Sequence, residues 1–136
     1  MPEEPGDAEY QRLLELRTGL RRFLHWSEER ALAAGLTATQ HQLLLAIRGH
    51  ADPRGPTVGE AAAYLLLRHH SAVGLVDRAV KAGLIERFPD ADDRRVVRLR
   101  LTAHGAAILH QLSAQHLDEL QRLAPRMRAL WAHLEE

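Results

Sequence analysis

The chain has 136 residues, of which 46% are hydrophobic, and its 18 basic and 18 acidic side chains leave no net formal charge. These numbers suit a single domain with an apolar core, and the absence of cysteine excludes disulfides, thiolate metal ligands and thiol-based redox sensing. No apolar run approaches the ~20 residues that span a bilayer and no signal segment is recognisable, so we expect a cytoplasmic protein that does not interact with membranes.

The amino-terminal third is predicted to be helical. Apolar side chains recur at helical spacing from Asp7, a candidate N-cap, to about Ala34. A second helix is predicted to begin after Thr37 or Thr39 and to end near Gly49.

Two short helices joined by a tight turn are predicted next. After a loop over residues 52–56, Thr57 caps a third helix with Glu60 as its capping-box partner. A fourth amphipathic helix covers about residues 68–83. This pair is typical of a helix-turn-helix, in which the start of the second helix enters the major groove of DNA.

The exposed side of the fourth helix supplies polar side chains that can reach base edges or phosphates. Ala72, Leu75, Val76 and Ala79 have the spacing of an inward-facing stripe. The candidate DNA contacts on this helix are therefore the outward-facing residues Arg68, His69, His70, Ser71, Gly74 and Arg78.

A basic β-hairpin is predicted after this helix. Residues 84–88 are mostly apolar, residues 89–93 are turn formers, and apolar and arginine side chains alternate over residues 96–101. Segment 54–100 has three more cations than anions, and the remainder has the opposite excess, although a mixed solvated surface would also explain a difference of this size. The candidate DNA contacts on the hairpin are Arg94, Arg95 and Arg98.

Three motifs in this region resemble a known family. LVDRAVKAGLIER at 75–87, DADDRR at 90–95 and LTAHG at 101–105 follow the order and spacing of L-V-D-R-L-x-x-x-G-L-V-x-R, D-x-R-D-x-R and L-T-x-x-G in the MarR family of winged-helix transcription regulators. The resemblance implies one mainly α domain over residues 1–136 with a small β-hairpin wing. Its winged helix-turn-helix lobe would cover 36–101, and its helical dimerisation region 7–34 and 102–136.

Two positions depart from the family pattern. Asp92 stands where the family usually has a wing-tip arginine, and Gly74 stands where it commonly has a long polar side chain. Arg94 is the cation nearest to Asp92, so we expect it to reach the minor groove. The resemblance implies that Asp93 and Arg95 form a charge-assisted bracket across the hairpin.

The last helix carries a long apolar stripe. It is predicted to begin after Thr102, with Pro125 marking a break or a new first turn. The two terminal helices carry more leucine than a small wing domain can cover, and dimerisation through them is the family's arrangement. We therefore expect a homodimer on double-stranded DNA with a near-palindromic site.

Small-molecule binding is a second expectation. The resemblance implies a cleft between the dimerisation helices and the lobe that takes a small aromatic effector, while the alternative is that its aromatic residues are ordinary core. A metal site is a third, less favoured interpretation, since His25, His41 and His110 converge if the first, second and last helices meet. No other cofactor is predicted. The candidate effector residues are Arg22, His25, Trp26, His41 and Tyr64.

Catalysis is not indicated, because the sequence has no nucleophile elbow, P-loop, dinucleotide fingerprint or catalytic cysteine. The favoured interpretation is a homodimeric DNA-binding regulator, a ligand-responsive repressor. The alternatives are a degenerate winged-helix module that binds a protein partner, since Asp92 and Gly74 both remove expected DNA contacts, and a metal-sensing regulator.

Overall fold

Five helices and one β-hairpin make up residues 3–135, the part of the chain that the computed structural model describes. The two strands are antiparallel, with Ile85 opposite Leu101 and Pro89 opposite Val97. The chain is mainly α with a small hairpin, as the sequence predicts. The elements in order are α1 (Asp7–Ala33), α2 (Ala38–Gly49), α3 (Val58–Leu65), α4 (His69–Lys81), β1 (Ile85–Pro89), β2 (Val97–Leu101) and α5 (Ala103–Ala132).

Threonine N-caps start three of the helices. The hydroxyls of Thr37 and Thr57 each accept a hydrogen bond of 3.1 Å from the backbone N–H three residues later. Gln40 and Glu60 complete both capping boxes, because their side chains accept from the N–H of the capping threonine at 3.0 Å. Of the two candidates for α2, the structure thus selects Thr37 and not Thr39.

The predicted ends of the terminal helices need two corrections. The N-cap of α1 is Gly6, whose N–H donates to the Glu9 carboxylate at 3.0 Å, and Asp7 is already helical. Helix α5 continues through Pro125. A proline removes one helical hydrogen bond, and packing beyond it can offset that loss. Such packing exists, since a Cβ built on Gly19 of α1 would lie 3.8 Å from Sδ of Met127.

The apolar core lies between the helix-turn-helix, the hairpin and the first half of α5. The inward-facing stripe predicted for α4 is confirmed, because all four of its members are buried. Helices α2 and α5 and both strands contribute the other large buried side chains. The largest fully buried side chains are Leu43, Leu44, Pro56, Val76, Ile85, Leu99 and Leu112.

The LTAHG motif joins α5 to the hairpin. The Thr102 hydroxyl donates to the carbonyl oxygen of Gly83 at 2.6 Å and accepts from the N–H of Gly105 at 3.0 Å. A Cβ on Gly105 would lie 2.0 Å from the carbonyl oxygen of Leu84, closer than any side chain allows. Glycine at this position therefore lets the helix start directly against the strand.

A segment before α3 anchors the base of the wing. The Leu99 N–H donates to the Pro56 carbonyl at 2.8 Å, and Thr57 forms an isolated antiparallel bridge with Arg98. Gly55 has a φ of +91°, and a Cβ there would lie 2.2 Å from the Leu99 carbonyl oxygen. The predicted loop over residues 52–56 is thus held tightly against β2.

Candidate nucleic-acid interface

The start of α4 is an exposed polar edge of the lobe. Arg68 is the N-cap residue, and it is followed by His69, His70 and Ser71, all of them exposed. Ala72 and Leu75 lie behind them in the core. The structure therefore places the first four predicted contacts together at one end of the second helix of the motif, where such helices meet base edges.

Gly74 and Arg78 lie one turn apart further along α4. A Cβ built on Gly74 would lie 3.2 Å from Nη1 of Arg78 and 4.0 Å from its Cζ. The guanidinium of Arg78 therefore occupies the space that a side chain at position 74 would fill.

The wing is shaped by Asp90. This carboxylate is 5% exposed and accepts hydrogen bonds from Nε of Arg98 at 2.6 Å and from the N–H groups of Asp92 and Asp93 at 3.1 and 3.0 Å. The hydrogen bond from Arg98, followed by the one from the Asp93 amide, lowers the pKa of Asp90. Arg98 also donates from Nη1 to the Gly55 carbonyl at 2.8 Å. Asp90 therefore ties both strands and the turn to the anchoring segment.

Two predictions about wing residues are corrected by this arrangement. The expected bracket of Asp93 and Arg95 across the hairpin is instead a local pair within the turn, at 3.1 Å, with the Arg95 side chain 91% exposed. Arg98, predicted to contact DNA, is 12% exposed and bonded to Asp90 and Gly55. Asp90 directly follows β1, and Arg98 lies near the start of β2. The ion pair between them therefore joins the two strands at the turn end of the wing.

Asp90 was recognised in the sequence only as a turn former. An aspartate whose side chain accepts from the N–H two residues later is typical of an Asx turn, and that local signal was available. Its partners Arg98 and Arg54 were not predictable in the same way, because they lie 8 and 36 residues away along the chain.

The remaining cations of this surface divide into paired and unpaired groups. Arg87 pairs with Asp77, and Arg100 pairs with Glu86 at 2.9 Å while covering the ring of Phe88. Within residues 3–135, no carboxylate lies within ion-pair distance of the exposed cations Arg68, Arg78, Lys81 and Arg94. These four keep their full hydrogen-bonding capacity for an anionic partner.

Helices α1 and α5 carry a second, apolar surface. Large apolar side chains on these two helices are about half or more exposed, and we call them the terminal-helix stripe. Its members are Tyr10, Leu13, Leu14, Leu20 and Leu24 on α1 and Leu117, Leu120 and Trp131 on α5. Neither helix is a membrane span, because no helix among residues 3–135 is both long and apolar enough to cross a membrane.

The predicted convergence of His25, His41 and His110 is wrong. His41 is buried against His116, with ring centroids 4.8 Å apart, whereas His25 pairs with Glu29 on the surface. His110 is exposed, because the six residues from 110 to 116 turn the helix by about two thirds of a revolution beyond one full turn. Residues 3–135 hold no group of three or more side chains placed to bind a metal ion.

His116 is oriented by two hydrogen bonds. Its Nδ1 lies 2.7 Å from the Leu112 carbonyl, so this nitrogen donates, and its Nε2 lies 2.7 Å from the Ser27 hydroxyl, which donates in turn. The pKa of His41 is lowered, first by burial and then by the proximity of His116. The pair lies where α1, α2 and α5 meet.

The five candidate effector residues do not form one site. Arg22, His25 and Trp26 share a surface hollow of about 360 Å³, and His41 lies deeper, beyond His116. Tyr64 lines a different hollow and hydrogen-bonds through its hydroxyl to Nδ1 of His50 at 2.9 Å. Tyr64 does not line the hollow of Arg22, His25 and Trp26, because its side chain on α3 packs against the end of α2.

Comparison with known proteins agrees with this architecture. A family model described as "MarR family" matches residues 34–96. A MarR family transcription regulator, SP03579, superposes with a TM-score of 0.78 at 25% identity over 95% of this chain and 85% of that one. MarR of E. coli in its apo form superposes with a TM-score of 0.70 at 25% identity over 98% and 97%. Over residues 34–96 the chain is therefore similar to the MarR family, and its fold matches that of solved MarR-family regulators.

Three curated proteins similar to this chain are described as transcription regulators. The HTH-type transcriptional regulator PecS of Dickeya dadantii (strain 3937) is 26% identical over 109 residues, which is 74% of this chain and 66% of PecS. The alignments with the curated relatives cover 44% to 66% of those proteins' own lengths. The fold of the chain is that of the MarR winged helix.

Proposed function

We propose that this protein is a homodimeric, DNA-binding transcription regulator. Helix α4 would enter the major groove with its exposed start, and the wing would reach the minor groove with Arg94. The observation that carries this proposal is the division of the cations. Within residues 3–135, Arg68, Arg78 and Lys81 of α4 and Arg94 of the wing tip have no carboxylate partner, whereas the more enclosed Arg98 is paired with Asp90.

The terminal-helix stripe supports the dimer. A single copy leaves these side chains in water, and apolar side chains arranged along two long helices are normally covered by a partner. A second copy of the same chain supplies a matching stripe. Two copies related by a twofold axis would present two α4 helices, and the site they read would be near-palindromic.

We propose repression as the direction of regulation, because a dimer on such a site blocks access to the same stretch of DNA. Response to a small aromatic effector is part of this proposal. Its supporting observation is the hollow at Arg22, His25 and Trp26, which combines a flat ring with two hydrogen-bond donors on α1. An effector bound there would act by favouring one spacing of the two lobes over another.

The proposal is tested by titrating salt against duplex binding. Sites are first selected from a random duplex pool, and affinity for the selected site is then measured between about 50 and 200 mM salt, where a protein with several phosphate contacts loses affinity steeply. Arg94→Ala should weaken binding to all sequences and reduce the log–log slope by about 0.9, the value for one phosphate contact.

The matched control is Arg48→Ala, which removes an exposed arginine of α2, outside α4 and the wing. We expect its affinity and salt slope to equal those of the wild type. Equal losses in the two variants would contradict the role of Arg94. If the wild type binds no duplex even at low salt, the proposed function is wrong and a protein-binding module, favoured by the exposed Asp92 carboxylate at the wing tip, replaces it.

A further inference from the structure

The middle of α4 has a gap in its exposed face. Ser71, Gly74 and Arg78 follow one another at three- and four-residue steps and so lie on one side of the helix. Ser71 and Arg78 line the same hollow of about 420 Å³. Gly74 contributes no side chain between them, so a residue that would normally extend from the centre of this face is absent.

The guanidinium of Arg78 fills that gap. Long side chains on a helix point back toward its amino terminus, which carries the end of Arg78 over the preceding turn. Its Nη1 lies 3.2 Å from the position of a Cβ on Gly74, a separation tighter than most side chains accept. A Cβ at position 74 would require the guanidinium to shift by a few tenths of an ångström, and a long side chain there would compete with it for the same space.

Among residues 3–135, no acidic side chain forms an ion pair with Arg78. Its sequence neighbour Asp77 is paired with Arg87 of β1 and faces the hairpin. The planar fork of Arg78 is therefore open to solvent with all its donors available. An arginine fork matches the O6 and N7 acceptors of guanine in the major groove, and this contact discriminates strongly between bases.

We propose that Arg78 is a base-reading, specificity-determining residue and that Gly74 is the residue that admits its guanidinium to the centre of α4. The partner is a guanine in each half-site of the DNA. This inference rests on the proposed DNA-binding function and adds to it the residue pair that sets one position of the recognised sequence.

The test compares sequence preference and not affinity alone. Duplexes are selected from a random pool with the full-length wild type, Arg78→Ala and the control Lys81→Ala, which removes another unpaired cation of α4. For the wild type we expect a guanine at one symmetric pair of positions, preferred about 5- to 150-fold over other bases. Arg78→Ala should lose this preference there alone, whereas Lys81→Ala should keep it.

A second variant tests the link to Gly74. Gly74→Gln places a side chain in the space of the guanidinium, so it should alter preference at the same base pair that Arg78→Ala alters. Melting curves establish that both variants fold. The inference is overturned if Arg78→Ala weakens all sequences equally, as a phosphate contact would, or if Gly74→Gln changes a different base pair or none. Absence of duplex binding by the wild type would instead refute the proposed function from which it follows.

Discussion

The winged-helix lobe and the terminal helices meet the requirement to bury apolar side chains in opposite ways. In the lobe, Leu43, Val76 and Leu99 are completely enclosed by the same chain. On the terminal helices, Leu14 is 68% and Leu24 is 60% exposed. One copy of the chain therefore buries the core side chains of the lobe, while large apolar side chains of the terminal helices stay exposed to solvent.

The charged side chains of the lobe have two different roles. Some pair with each other, as Asp90 and Arg98 do, while within residues 3–135 cations of α4 and Arg94 of the wing tip have no carboxylate partner. Under the proposed function, assembly and DNA contact therefore belong to separate parts of the chain. Substitutions in one region should then affect one property first, and four experiments test that separation.

The largest effect is expected from charges placed in the terminal-helix stripe. Leu14→Asp combined with Trp131→Asp should prevent dimerisation, because buried unpaired carboxylates are strongly disfavoured at an apolar interface. In sedimentation, the wild type should have twice the chain mass of 15.3 kDa and the variant that mass once. DNA affinity should fall about 100-fold or more, since the second lobe no longer assists the first.

The control for this experiment is Leu45→Asp on α2, a lobe leucine that is 52% exposed. It should remain dimeric and bind DNA as the wild type does. A dimeric double variant would show that the stripe is not the interface.

A somewhat smaller effect is expected at the junction of the two regions. Gly105→Ala brings a methyl group to 2.0 Å from the Leu84 carbonyl oxygen, so the helix and the strand must separate. The free energy of unfolding should fall by about 1–3 kcal/mol, as for other overpacked sites. Gly49→Ala, with nothing within 4 Å of its added Cβ, should lose no stability in the same denaturant titration.

The wing should respond next. Arg98→Ala removes the main partner of Asp90, whereas Arg95→Ala removes a partner of Asp93 that is exposed in the turn. We expect Arg98→Ala to lower the melting temperature more and to speed amide hydrogen exchange at residues 90–96, while dimer mass is unchanged. Equal behaviour of the two variants would mean that Asp90 does not hold the wing.

The smallest effect is a dependence of stability on pH at His41. Its pKa in the folded protein lies below the ordinary value of 6.5, because burial and His116 disfavour the charged ring. Below pH 6.5 the unfolded chain therefore binds a proton that the folded chain does not, and stability decreases as the pH falls toward the lowered pKa. One proton limits this loss to about 1.4 kcal/mol per pH unit.

The measurement is chemical unfolding at several values between about pH 7.5 and pH 5.5. His41→Gln should show a shallower decline than the wild type, and His70→Gln, which alters an exposed histidine, should change the decline less. A decline that is identical in the wild type and His41→Gln would assign it to groups other than His41.

The features that could be predicted from sequence are the local ones. The caps at Thr37 and Thr57, the inward stripe of α4 and a turn between the two strands each depend on residues within a few positions of one another. The turn itself occupies residues 90–96 and not 89–93, because Pro89 pairs with Val97 at the end of β1. The same holds for the exposed start of α4. Such patterns are enough to place the helix-turn-helix and the wing.

The features that escaped prediction depend on distant partners. Arg98 and Arg95 look alike in the sequence, and only the pairing of the strands brings Arg98 to Asp90 and to Gly55. The partner of His41 is His116 and not His110 because the rotation of α5 against α2 decides which histidine faces inward. Local periodicity does not determine how one helix is rotated against another.

The position of Asp90 makes the wing tip tolerant of substitution. The carboxylate holds the turn through the backbone amides of residues 92 and 93, and the exposed Asp92 carboxylate adds only an ion pair with Arg54 at 3.7 Å. Exchanging the exposed side chains of Ala91 or Arg94 should therefore change the surface of the tip at little cost in stability.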